Sequence, residues 1–254
     1  MIAATENEKR ILEEAGWRLA CIMREIEHAV RPGIATGDLE ALARRLIKEN
    51  GDTPSFLGYQ PTWAESPYPT ALCVSVNDEV VHGIPGERIL LEGDIVGLDL
   101  GVRHDGLFVD MAVTVPVGEI SLEDAALIED TRESLAWGIQ AAREGATVGD
   151  IGHAIESYLK PKGYGIIRDL GGHGVGRAAH EEPFIPNFGI PGEGVRLTSG
   201  TVIAIEPMVS RGGEMVVTAP DGYTVKTKDG SRSAHFEHTI MISRDMPIIL
   251  TSLR

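Results

Sequence analysis

Near the amino end, apolar side chains recur at three- and four-residue intervals. Leu12, Ala15, Leu19, Ile22, Met23, Ile26 and Val30 fall on one stripe, which predicts an amphipathic helix from about Ile11 to Val30. The same period predicts helices from Gly37 to Asn50, stopped by Gly51, from Leu122 to Arg143 and from Val148 to Lys160. Strands are predicted where apolar and β-branched residues run together or alternate, at 71–76, 95–102, 107–115, 201–205, 214–218 and 236–242. Helices and strands are mixed without strict alternation, which is an α+β pattern.

One longer-range feature organises these elements. RPGIATGDLEALARRLIKENG, starting at Arg31, aligns with REGATVGDIGHAIESYLKPKG, starting at Arg143, at an offset of 112 residues. Both contain Gly-x3-Gly-Asp before an apolar residue and close on Lys-x2-Gly. Matched glycines imply matched turns, and Asp38 and Asp150 fall near helix starts, where free N–H groups favour a carboxylate. The pattern predicts two related halves, roughly 10–118 and 119–250, within a single catalytic domain spanning 1–254. Chance similarity of two amphipathic helices with similar leaders is the competing account. No linker or low-complexity stretch divides the halves.

Composition narrows the function classes. With 43% hydrophobic and 24% charged residues among 254, the chain can bury a substantial core. Its 38 acidic against 23 basic residues give a net charge of −15, which argues against nucleic-acid or anionic-membrane binding. The polar opening MIAATENEKR and the lack of a long apolar run predict a cytoplasmic protein without membrane spans. Cys21 and Cys73 are the only cysteines, too few for a disulfide framework or a cysteine-ligated zinc site.

The first candidate chemistry lies in DIVGLDLGVRHDGLFVDMAVTV, two apolar strands around a turn centred on Asp105-Gly106. If His104 and Asp105 form the loop, Asp99 lies directly opposite Asp110; if Asp105 and Gly106 do, the two are diagonal on one face. Either register brings two carboxylates together within apolar strands, an arrangement that asks for a cation unless both point into solvent.

The glycine-rich segment LGGHGVGRAAHEEP carries His173 and His180. It superficially looks like a phosphate loop, but Pro183, Pro186 and Pro191 interrupt any following helix. Glu206 closes the apolar run TVIAIEPM, where Pro207 keeps it extended. Glu237 sits in SAHFEHTIMI, on one strand face with His235 and Thr239 if the period is two. Singly, each group has an ordinary reading, His173 as a backbone-bonded histidine and each glutamate as a salt-bridge partner. Together, four acids offset two divalent charges, and one imidazole shifts the preference from Mg²⁺ or Ca²⁺ toward Mn²⁺, Fe²⁺, Co²⁺ or Zn²⁺. The set suits two-metal hydrolysis.

SVNDEVVHGIP (Ser75–Pro85), the spaced Asp99 and Asp110, GHGVGR (Gly172–Arg177), HEEP (His180–Pro183), IEPM (Ile205–Met208), DGYTVKTKD (Asp221–Asp229) and SAHFEHT (Ser233–Thr239) resemble the type I methionine aminopeptidases in motif order and spacing. The resemblance implies a pita-bread (creatinase/aminopeptidase) fold, with two pseudosymmetric halves around a central metal site. It implies two divalent metal ions on Asp99, Asp110, His173, Glu206 and Glu237, with Asp110 and Glu237 bridging. It further implies a metallo-exopeptidase that removes the initiator methionine from nascent polypeptide N-termini by attack of activated water on the first peptide bond. In that scheme Glu206 is the general base, His180 stabilises the oxyanion and His82 orients the backbone beyond the scissile bond. Tyr59, Cys73 and Tyr223, with Met208 adjacent, fall at positions of the methionine pocket. A monomer is expected, with no dedicated ribosome-binding module and any ribosome contact transient.

Some positions depart from the family pattern. The stretch between Tyr59 and Cys73 is longer than expected, Ala179 replaces a larger residue, and Gly101 and Gly171 stand where larger residues are expected. Trp63 or Tyr68 from the longer loop is the candidate to refill the space beside Ala179. The rival readings are a proline-specific peptidase, which shares the ligands but carries an extra amino-terminal domain, and a non-catalytic binding protein of the same fold. The latter is expected to have lost ligands or His82 and His180, all of which are present.

Overall fold

The computed structural model describes residues 1–3 and 5–254. In chain order it contains α1 (Glu6–Ala29), α2 (Thr36–Glu49), β1 (Thr53–Pro54), β2 (Leu72–Val76), β3 (Glu79–Val81), β4 (Ile95–His104) and β5 (Leu107–Pro116). There follow α3 (Leu122–Ala141), α4 (Val148–Leu159), β6 (Gly165–Ile166), β7 (Gly172–Gly174), β8 (Glu181–Ile185) and β9 (Val202–Ile205). The chain closes with β10 (Met208–Ser210), β11 (Val216–Thr218), β12 (Val225–Thr227), β13 (Ser233–His235), β14 (Glu237–Met241) and β15 (Ile248–Ile249).

The helices form where the apolar period places them, with ends set by local chemistry. Thr5 and Glu8 make a reciprocal capping box at the start of α1. Thr147 and Asp150 do the same for α4, and Asp38 holds the same third position of α2, reaching back to Ala35 N–H. Among the described residues, no helix is long and apolar enough to cross a membrane.

The principal sheet runs β1-β4-β5-β14-β9-β7-β8, with β2 added on β4 and β15 on β14. Two three-stranded sheets, β13-β10-β6 and β11-β12-β3, stand beside it. The strand predicted at 236–242 forms as β14, but His235 does not share a strand face with Glu237. The chain breaks at Phe236, so His235 ends β13 in a small sheet while Glu237 begins β14 in the large one. His235 is held there by its pairing to Met208 and by two bonds between its backbone and the Thr114 hydroxyl, both 2.9 Å.

Two large apolar clusters flank the sheet. Leu98, Leu100, Val109 and Met111 of the β4–β5 hairpin pack with α1 and α2, whereas Ile203, Ile205 and Ile240 of β9 and β14 pack with α3 and α4. Asp99 and Asp110 alternate with the first group, and Glu206 and Glu237 extend the strands of the second. The acidic groups therefore converge along the seam between the clusters.

Strand β2 is fastened to α2 by one buried carboxylate. Glu40 accepts hydrogen bonds from Ala71 N–H (2.9 Å) and Leu72 N–H (2.8 Å) and is ion-paired with Arg44. Replacing Glu40 by Ala strands two buried donors, each costing about 1–3 kcal/mol. Glu40→Ala is expected to lower unfolding stability by about 2–4 kcal/mol in urea titrations; a loss under about 0.5 kcal/mol would show that the anchor is dispensable.

Candidate metal centre and active-site cavity

The hairpin turn decides the geometry of the aspartates. Asp105 (φ 44°) and Gly106 (φ 88°) both adopt left-handed backbone, as a two-residue type I′ turn requires. His104 therefore pairs with Leu107, Gly101 with Asp110, and Asp99 with Ala112. Of the two registers that the sequence leaves open, the diagonal one forms. Ala112 also lies opposite Glu237 on β14, so a single methyl group separates Asp99 from Glu237 across three strands. Gly101 has a steric reason: a Cβ there would lie 2.8 Å from the Ser55 Cβ and 3.3 Å from Asp110 Oδ1.

Asp110 is tethered on both sides. The Thr239 hydroxyl accepts from Asp110 N–H (2.8 Å) and donates to Asp110 C=O (2.7 Å), while Met111 N–H donates to Asp110 Oδ1 (3.0 Å). His173 sits in β7 between two glycines that allow its neighbours to close in. A Cβ at Gly172 would be 2.2 Å from Ala204 O, and one at Gly174 would be 2.2 Å from Glu182 O. His173 Nδ1 contacts Gly174 O at 2.9 Å, which makes Nδ1 the protonated nitrogen and leaves Nε2 a bare donor atom. Nε2 lies 3.7 Å from Glu206 Oε1 and 3.9 Å from Glu237 Oε1.

Asp110, His173 and Glu237 each offer one ligand atom, all within 4.8 Å of one another. Asp99 Oδ1 and Glu237 Oε1 are buried without a hydrogen-bond partner among the described residues. Carboxylates and a bare imidazole nitrogen that face each other without donors fit a divalent cation in place of the missing positive charge. His235, which sequence reasoning treated only as a face-mate of Glu237, brings Nε2 to 3.3 Å from Glu206 Oε2 without hydrogen-bond alignment. Its signal was the His-x-Glu spacing, masked by the apolar run around it.

Electrostatics follow from this crowding. Burial, with the Glu206 charge beside it, raises Asp110 to about 7, and burial raises Glu206 to about 8. Asp99 and Glu237 are pushed well above the carboxylate range by burial and by Asp110 next to them. The histidines move the opposite way. Burial lowers His82 to about 4 and both His173 and His235 to about 3, so these imidazoles are neutral at physiological pH, and burial also lowers His180.

These groups open onto a cavity of about 480 Å³. One wall is the apolar cluster Phe56, Tyr68, Cys73 and Tyr223, joined to the acids because Cys73 on β2 pairs with Asp99 on β4. Phe56 belongs to no motif and was missed in the sequence. His82 lines the cavity with positive φ (59°), a strained non-glycine conformation of the kind concentrated at functional sites, and its Nδ1 has no partner among the described residues. His180 sets its ring 4.3 Å from that of His173 and 5.1 Å from that of Tyr59. Trp63 and Tyr68 both pack on Tyr223, at 5.4 and 5.1 Å, so the ring beside His180, the neighbour of Ala179, is Tyr59.

A comparison with known proteins decides the family: residues 10–244 match the model of metallopeptidase family M24. The chain belongs to metallopeptidase family M24. This M24 chain is 45% identical over 251 residues to methionine aminopeptidase 1 of Bacillus subtilis (strain 168), covering 99% of each, and 46% identical over 252 residues to methionine aminopeptidase of Aquifex aeolicus (strain VF5), covering 98% of each. Its structure matches the crystal structure of methionine aminopeptidase from Thermotoga maritima with TM-score 0.94 and 44% identity, covering 99% of this chain and 100% of that one. A Xaa-Pro dipeptidase from Bacillus anthracis shares the fold at TM-score 0.78 and 21% identity, but this chain covers only 62% of it. The M24 architecture is the pita-bread fold expected from the motifs.

The raised carboxyl values have a consequence for stability. Without a bound cation, these acids hold protons in the folded state that the unfolded chain releases near pH 4. Their stabilising contribution is complete below that pH and is lost as pH rises through about 7 for Asp110 and about 8 for Glu206. The lowered histidines contribute above about pH 6.5 and lose their contribution only on acidification. From about pH 6.5 to 8.5 only the acids count, so the unfolding temperature of EDTA-treated protein is expected to fall as pH rises. Excess divalent metal is expected to flatten or reverse the slope, because protons and cation compete for the same oxygens. Calorimetry checks this, and a rising profile in EDTA would contradict it.

Proposed function

We propose that this chain is a methionine aminopeptidase, removing the N-terminal methionine from peptides and nascent proteins. The reading rests on one observation: Asp110, His173 and Glu237 converge beside a buried apolar wall of the same cavity. We further assign Asp99, Asp110, His173, Glu206 and Glu237 as the residues that would hold two divalent ions, drawn from Mn²⁺, Fe²⁺, Co²⁺ or Zn²⁺. The reading carries with it a cytoplasmic monomer that meets nascent chains through at most transient ribosome contact.

When bound, the ions neutralise the carboxylates and supply the Lewis acidity that activates water and polarises the peptide carbonyl. The chain's own groups do the rest. The buried Phe56, Tyr68, Cys73 and Tyr223 wall takes the apolar methionine side chain. Glu206 accepts the proton of the attacking water and delivers it to the leaving amine, with His235 beside its second oxygen. His180 on the cavity wall donates to the developing oxyanion as a neutral imidazole, and His82 bonds the amide following the scissile bond. Tyr59 and Trp63 complete the substrate-contacting set.

Purified protein with added Mn²⁺ or Co²⁺ is expected to release methionine from Met-Ala-Ser, with EDTA abolishing and metal restoring turnover. Failure with every divalent metal tried would refute the reading. His180→Ala is expected to lower kcat about 10²–10³-fold with little change in KM, the signature of a lost transition-state donor. An effect confined to KM would remove His180 from the chemistry.

A further inference from the structure

The lining of the cavity divides into a buried set and an exposed one. Phe56, Tyr68, Cys73 and Tyr223 are 2–7% exposed, whereas Trp63 and Phe184 line the same cavity while 59% and 48% exposed. Both rings are held in place by the local fold. Trp63 is carried on a compact loop whose neck is closed by Gly58 N–H to Tyr68 C=O (2.9 Å) and Tyr68 N–H to Tyr59 C=O (2.8 Å). The Tyr223 hydroxyl donates to the Ser66 carbonyl of that loop. Trp63 lies nearly parallel to His82, with centroids 6.3 Å apart and planes at 24°.

Phe184 stands on β8, and its position depends on a glycine. A Cβ at Gly171 would come within 2.9 Å of the Phe184 Cζ and 2.8 Å of Ile185 O. The absence of a side chain at 171 therefore lets the Phe184 ring settle over the backbone at the rim.

We propose that Trp63 and Phe184 form a subsite for the substrate beyond the scissile bond, favouring an apolar side chain at the third position of the peptide. The proposal deepens the methionine-removing reading and rests on it for direction. With the first residue against the buried set, the rest of the peptide leaves through the mouth at about 3.3–3.6 Å per residue, which brings the second and third residues to the rim. Trp63 neighbours His82, the group assigned to the amide after the scissile bond, which places it downstream of the chemistry. Its ring and that of Phe184 are apolar surface that a passing side chain can cover, gaining roughly the burial energy of part of one side chain.

The test compares kcat/KM for Met-Ala-Phe-Ser and Met-Ala-Gly-Ser in Mn²⁺-loaded protein. Wild type is expected to prefer Phe by roughly ten-fold, and Trp63→Ala combined with Phe184→Ala to reduce the ratio to about one. The ratio cancels any general loss of activity, and Trp63→Phe is expected to retain most of the preference. A wild-type ratio near one, or a ratio unchanged in the double variant, overturns the proposal. Binding of the same two peptides with the scissile amide reduced to a methyleneamine, followed by isothermal titration calorimetry, reads the subsite without turnover in wild type and in the double variant alike. A binding preference lost in the double variant alongside absent turnover would leave the subsite standing while the methionine-removing reading fell, and equal binding of both reduced peptides would overturn the subsite.

Discussion

Four carboxyl groups share one water-poor space in this protein, and their mutual repulsion is the constraint around which the rest is arranged. Burying even one ionised acid without a partner is costly, and a cluster survives only as protonated acids or around bound cations. Rigidity is the protein's part of the solution. Thr239 grips the backbone of Asp110, Met111 N–H holds one of its oxygens, and the Gly174 carbonyl orients His173. These tethers fix the positions of Asp110 and His173, as the outer hydrogen bonds around a metal site do.

Much of this was legible in the sequence, for identifiable reasons. The long helices announce themselves through a sustained period, and the hairpin through Asp-Gly between apolar runs. The pairing of Asp99 with Ala112 was not decided, because two loop placements satisfy the same letters; only left-handed backbone at both Asp105 and Gly106 selects one. The strand from 236 onward was legible, but the three-residue strand carrying His235, Ser233–His235, offers no period that separates it from that strand. Strands of two or three residues such as β3, β6 and β13 are shorter than any period a reader can count. Phe56 carries no motif and enters the pocket through tertiary packing alone.

The departures from the family pattern turn out to be local and complementary. Gly101 makes room for Ser55 and the Asp110 carboxylate, and Gly171 makes room for Phe184. In both cases a missing side chain on one strand accommodates a neighbour on another segment, so the pair must be read together to have meaning. Ala179 is different: Tyr59 lies against its neighbour His180, while Trp63 and Tyr68 of the longer loop pack on Tyr223.

The seam on which the acidic groups lie has a consequence for the protein's dynamics. Asp99 and Asp110 belong to strands anchored in the cluster under α1 and α2, and Glu206 and Glu237 to strands anchored in the cluster under α3 and α4. A cation held between these acids would act as a rivet across two packing units that otherwise have separate reasons to stay folded. Breathing of one unit against the other would pull the acids apart, so bound metal would make the two open as a single body, and its removal would let them part along the join.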